Sequence, residues 1–205
     1  MLFCIRYTKR LCGGLIMNVY DFDGTIYRGD SSIDFFVFCV KRYPGICLGL
    51  PRFGIYCILY KMGKVSKKKL KEMYFRFLAQ IADVECCVQD FWDQHESRIM
   101  DWYLEQRYET DVVITASPRF LISEICARLG IKNLIATEVD STTGKFLSEN
   151  CHGEEKVKRF QHSFPNAIPT AFYSDSLSDS PMAKIANQAF FISGGRCGEW
   201  PADGT

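Results

Sequence analysis

From residue 111 onward the chain alternates short β-branched or aromatic runs with helical stretches, and this rhythm constrains the fold more than any other feature. Residues 111–116 read DVVITA, a β-branched run of the kind found in strands buried on both faces. Ser117-Pro118 starts a helix that continues over 120–129 and ends at Gly130. Further strands are expected at 134–139, 169–173 and 189–192. Helices are expected at 154–160 and 179–187, and a turn at 142–144. Strands separated by helices pair in parallel, and a parallel sheet needs both faces covered. The expected class is therefore α/β. An earlier strand, 18–20, belongs to the same sheet.

The segment between the first two strands has a different texture. Ser31 or Ser32 can cap a helix whose apolar positions include Ile33, Phe36, Val37 and Val40, closed by Pro44 and Gly45. The apolar stretch 46–62 reads as a buried helix. It is interrupted at Pro51 and Arg52 and falls short of the roughly 18–20 apolar residues that span a bilayer. It admits a second reading as a membrane-surface contact. Two more helices are expected over 66–82, opening with Lys67, Lys68, Lys69 and Lys71, and over 84–106. The organisation is thus a core of 17–30 and 107–193 with an all-helical insert, 31–106. Residues 1–16 form an N-terminal extension, and 194–205 a loosely held tail.

Composition removes several function classes. The net charge of +1 does not single out nucleic acid as a partner, whose binders usually show a basic face or stripe. Ten cysteines without a CxxC pair, together with three histidines, argue against zinc. The cysteines read as mostly reduced and packed in the core, in keeping with a cytoplasmic protein, monomeric or homodimeric.

Ligands of parallel sheets bind beyond the carboxyl ends of the strands, and four polar clusters fall there or in adjacent helices. Asp21-Phe22-Asp23-Gly24-Thr25 places two carboxylates after the first strand. One can serve as a covalent nucleophile for phosphoryl transfer, the other as an acid and then a base. Thr115-Ala116-Ser117 offers hydroxyls and backbone N–H groups to phosphate oxygens. Lys156, with Lys158 as its competitor, can offset negative charge. In the stretch 173–179, YSDSLSD, Asp175 and Asp179 are hard oxygen donors suited to Mg²⁺, together with Asp21 and the Asp23 carbonyl. Asp179 can instead orient Lys156. Each cluster alone has an ordinary structural reading, such as an Asp-Gly turn, a Ser cap or a surface Lys; their order on alternating elements gives them weight.

The four segments DFDGT, VVITASP, GEEKV and YSDSLSD resemble the motifs of the haloacid dehalogenase superfamily. The helical insert resembles the cap of its phosphoserine phosphatase-like branch, subfamily IB. The resemblance covers roughly residues 17–193. It implies a Rossmann-like doubly wound core and a Mg²⁺-dependent phosphatase. Asp21 would be the nucleophile, Asp23 the general acid and base, and Thr115 and Lys156 the phosphoryl-holding groups. Asp23 argues against dehalogenation, since dehalogenases of the family lack that second carboxylate. Departures from the phosphoserine phosphatases are Thr115-Ala116-Ser117 for Ser-Gly-Gly, Ser178 for Asn, Asp30 for a substrate-contacting Glu, and at best Lys71 for a cap Arg. Substrate contacts are therefore expected from Asp30, Arg28, Lys71, Ala116 and Ser117, to a small phosphorylated metabolite rather than to phosphoserine in particular. The competing readings are a membrane-associated lipid-phosphate phosphatase, a phosphotransferase and a non-catalytic binding protein.

Overall fold

The computed structural model describes residues 17–201; the expected N-terminal extension, 1–16, and the last four residues of the expected tail lie outside them. Strands β1 (Asn18–Tyr20), β2 (Val112–Pro118), β3 (Asn133–Thr137), β4 (Ala171–Ser174), β5 (Ala189–Ser193) and β6 (Arg196–Glu199) form one sheet in the order β3-β2-β1-β4-β5-β6. All pairings are parallel except β5 with β6. The expected α/β, doubly wound class is the observed one.

Side-chain alternation explains why both faces are covered. In β1, Val19 joins Val112, Ile114, Phe172, Phe160 and Met182 on one face. There α7 (Glu154–Ser163) and α8 (Ser180–Ile185) supply Phe160 and Met182. Tyr20 points the other way, to a larger cluster with Val113, Tyr173, Trp92 and Ile122. On that side lie α4 (Val84–His95), α5 (Asp101–Gln106) and α6 (Arg119–Arg128). Tyr20 stacks on Tyr173 at 4.7 Å, and Tyr173 on Phe190 at 5.0 Å, so a row of rings runs across three strands. The Trp92 indole N–H donates to the Leu121 carbonyl at 2.7 Å, pinning α4 to α6.

Between β1 and β2 the chain is helical: α1 (Ser31–Arg42), α2 (Leu50–Lys61), α3 (Lys67–Phe75), then α4 and α5, with 3₁₀ turns at Pro44–Gly49, Arg76–Gln80 and Glu96–Arg98. The helix expected over 84–106 is broken at Ile99, which bridges to Tyr27. The stretch 46–62 is not a buried helix. No residue of α2 is buried, because its apolar residues lie on both sides and only one side meets neighbours. The cysteines divide similarly: Cys39, Cys87, Cys126 and Cys151 are buried, whereas Cys47 and Cys86 are exposed. Nor is the chain loose from 194 to the last described residue, 201. β6 pairs along β5, and Trp200 packs its ring 5.8 Å from Phe172 and 5.7 Å from Phe191.

In this strand order the connection from β1 leads to β2 on one side, and the later return leads to β4 on the other. The loops after β1 and β4 therefore separate around a crevice at the carboxyl edge, where open α/β sheets hold their ligands.

Candidate active site

The turn after β1 is built by its own backbone. The N–H groups of Thr25, Ile26 and Tyr27 donate to the Phe22 carbonyl at 3.3, 2.8 and 2.9 Å. Gly24 adopts φ +69°, and a Cβ there would lie 1.9 Å from Asp175 Oδ2. Only glycine lets the β4 carboxylate close over this turn. Thr25, buried, accepts the Asp175 N–H on Oγ1 at 3.0 Å and ties the two loops together.

These loops wall a cavity of about 570 Å³. Of the expected residues, Asp21, Asp23, Asp30, Lys71, Thr115, Ala116, Ser117 and Asp175 line it. Lys156 and Asp179 are buried and do not line it. Lys156 Nζ lies 2.9 Å from Asp21 Oδ1 and 2.7 Å from Asp179 Oδ2. Asp179 Oδ2 also accepts from Ser174 Oγ at 2.8 Å. Asp30 both lines the cavity and caps α1, accepting the Ile33 N–H at 2.9 Å. Arg28 does not line it: the residue is exposed, and its N–H donates to the Arg98 carbonyl at 2.9 Å. Lys71 Nζ donates to Asn150 Oδ1 at 2.8 Å. Thr25 and Ser174, which hold Asp175 and Asp179, lie inside two of the motifs, but nothing in their sequence context sets their hydroxyls apart. Tyr74, another wall of the cavity, carries no sequence signal beyond an aromatic on a helix.

Asp23 is gripped from both sides. Oδ1 accepts the Ser31 N–H at 2.7 Å, at the start of α1, and Oδ2 accepts from the Ser117 hydroxyl. Burial pushes its carboxyl up to about 6, against the pull of these two donors. Burial also raises Asp21, while the Lys156 ammonium draws it back down. Asp175 is raised by burial as well. Burial disfavours the charged form of Lys156, but Asp21 and Asp179 outweigh it and hold the ammonium above its ordinary range. Lys71 is lowered to about 8, first by burial and then by Lys67.

Asp21 and Asp23, both largely withdrawn from water, and the more exposed Asp175 thus face one cavity with the buried Lys156 behind them, an arrangement that favours a further positive charge. Among the described residues no group of three or more His, Cys, Asp or Glu side chains converges to hold a metal. The Asp179 carboxylate is engaged by Lys156 and Ser174, and that of Asp23 by Ser117 and Ser31. What remains is Asp21 and Asp175 with nearby carbonyls. Such a set suits Mg²⁺, which takes one or two carboxylates and keeps several waters.

Residues 19–184 match the family model described as haloacid dehalogenase-like hydrolase. The chain is 28% identical over 191 residues to protein CicA of Caulobacter vibrioides, covering 84% of each chain. It is 21% identical over 203 residues to a histidinol-phosphatase of Neisseria meningitidis, covering 83% of this chain and 86% of the other. Its fold is shared with a phosphoserine phosphohydrolase-like protein of Francisella tularensis at a TM-score of 0.52 and 15% identity, covering 85% and 86%. With the family model spanning the paired carboxylates of the first loop through the Asp175 loop, the chain belongs to the haloacid dehalogenase-like hydrolases.

Proposed function

We propose that the chain is a Mg²⁺-dependent phosphomonoester hydrolase that works through an aspartyl-phosphate on Asp21. The observation that carries this reading is the convergence of Asp21, Asp23 and Asp175 on one cavity, with Lys156 buried against Asp21. The phosphatase name of the Neisseria protein supports it.

In this mechanism an Asp21 oxygen attacks phosphorus, and the bond to the leaving oxygen breaks. Asp23, its carboxyl raised by burial and steadied by Ser117 and Ser31, gives that oxygen a proton. It then takes a proton from water as the water attacks phosphorus. Phosphate leaves and the Asp21 carboxylate is restored. Thr115 and the N–H groups of the 115–117 turn hold phosphoryl oxygens, and Lys156 offsets charge beside Asp21. Asp179 acts through Lys156 by fixing its position. Mg²⁺ held by Asp21, Asp175 and the Asp23 carbonyl supplies charge neutralisation on the phosphoryl group when bound. Residues 31–106 act as a cap, with Asp30, Lys71, Ala116 and Ser117 contacting a small phosphorylated metabolite.

Phosphate release from p-nitrophenyl phosphate, with and without Mg²⁺, tests this in wild type and Asp21→Asn. The expected outcome is Mg²⁺-dependent turnover that falls at least about 10³-fold in the variant. Turnover surviving in Asp21→Asn would contradict the nucleophile assignment.

A further inference from the structure

Pro51, Ile55, Ile58 and Met62 follow one another at intervals of four, three and four residues, which brings them to one side of α2 and its C-cap. All four are exposed, Ile55 at 57%, Ile58 at 60% and Met62 at 58%, and Leu48 at 87% stands just before the helix. The opposite side carries Phe53, Tyr56 and Cys57, half-buried, with the Phe53 ring 5.6 Å from Tyr74. The apolar stripe therefore faces away from the body of the molecule, and contiguous exposed apolar surface of this kind marks a contact site.

Charge defines the partner. Residues 35–71 hold nine Lys and Arg and no Asp or Glu. Arg42, Lys68 and Lys69 are neutralised by Asp90, Glu149 and Glu72. Among the described residues no ion pair engages Arg52, Lys61, Lys64 or Lys67. At about 100° per residue, Arg52 and Lys61 flank the stripe on opposite sides. Lys64 follows the helix end, and Lys67 opens α3.

We propose that the outer stripe of α2, with the basic residues framing it, docks on the surface of an anionic lipid bilayer. A helix of 12 residues spans about 18 Å, well short of the roughly 30 Å hydrocarbon core, and no helix among the described residues is long and apolar enough to cross a membrane. α2 thus lies in the interface plane, with Ile55, Ile58 and Met62 below the headgroups and the basic side chains reaching up to lipid phosphates. A second copy of the chain is disfavoured as the occupant, because two such faces would set like charges together. Beside the same face opens a second cavity of about 490 Å³, whose walls include Leu48, Leu50, Phe53 and Tyr74. Tyr74 also lines the carboxylate cavity, so the two cavities share a wall. This inference uses none of the carboxylates and stands apart from the proposed reaction.

The test is co-sedimentation of the full chain with vesicles of phosphatidylcholine alone and of equimolar phosphatidylcholine and phosphatidylglycerol. The same preparations are assayed on p-nitrophenyl phosphate without lipid, so that failure to bind and failure to hydrolyse are read separately. The expected result is at least about tenfold more chain in the anionic pellet than in the neutral one. That enrichment should be lost in Ile55→Asp/Ile58→Asp and in Lys61→Glu/Lys64→Glu, with lipid-free activity unchanged. Absence of enrichment would overturn the proposal, as would enrichment that both double variants retain. Concentration-dependent dimers that Ile55→Asp/Ile58→Asp dissociates, without vesicle binding, would assign the face to a second copy and equally overturn it.

Discussion

The crevice at the carboxyl edge of the sheet and the outer face of α2 spend polar and apolar groups in opposite ways. In the crevice, charges are buried and paired: Lys156 sits between Asp21 and Asp179, and Asp23 between Ser31 and Ser117. On α2, apolar groups are exposed, and basic groups that no ion pair engages among the described residues frame them. The first arrangement is costly to fold and persists because the strand ends and the starts of α1 and α7 hold the partners together. The second costs little folding free energy, because α2 packs by one side only. Stability and chemistry thus reside at the strand ends, and contact with other surfaces resides on the helical segment.

The largest expected effect comes from breaking the buried pairing. Lys156→Met leaves the Asp21 and Asp179 carboxylates without their cation. It should lower stability by about 3–5 kcal/mol in urea unfolding. Turnover should fall by about 10²–10³-fold. A variant as stable as wild type would mean that these carboxylates do not depend on Lys156.

Core and outer helix can then be set against each other directly. Phe172→Ala removes a fully buried ring from the sheet and should cost about 3–5 kcal/mol. Ile55→Ala and Ile58→Ala should each stay within about 0.5 kcal/mol, as exposed positions do. A cost at Ile55 comparable to that at Phe172 would show that the α2 face is packed in solution.

A smaller effect separates a buried carboxylate that has a cation from one that has none. Asp111 is buried before β2 and accepts the N–H groups of Asn18 and Tyr108 at 3.2 and 2.7 Å. Burial raises it from 3.8 to about 6. Because the folded state holds this proton more tightly, its contribution to stability is full below about pH 4 and is lost as pH rises through about 6. Asparagine does not titrate. The stability of wild type relative to Asp111→Asn should therefore fall between about pH 4 and pH 7, by up to about 3 kcal/mol. Urea midpoints measured across that range check it, and a difference that rises with pH would reverse the assignment.

Much of the crevice was legible in the sequence because its chemistry is local. Asp21, Asp23 and Gly24 stand in one turn, and the strand before them fixes where they emerge. Lys156 was legible only through its motif, since a lysine on a helix implies exposure, and here it is buried. Asp179 was left between metal ligand and Lys156 partner, a choice that depends on distances between α7 and the loop after β4. The α2 face was misjudged for a related reason. Periodicity reports which residues are apolar, but not whether another element covers them. β6 escaped notice because Arg196-Cys197-Gly198-Glu199 carries no strand-like alternation and is ordered by pairing with β5 and by Trp200.

A phosphoryl group carried by Asp21 can be trapped there. Asp23→Asn should slow attack by water, so the covalent form accumulates when radiolabelled p-nitrophenyl phosphate, whose leaving oxygen needs no proton, is added with Mg²⁺. The account predicts label bound to the protein, released by hydroxylamine and absent when Asp21→Asn is combined with it. Label that persists without Asp21 would contradict the account.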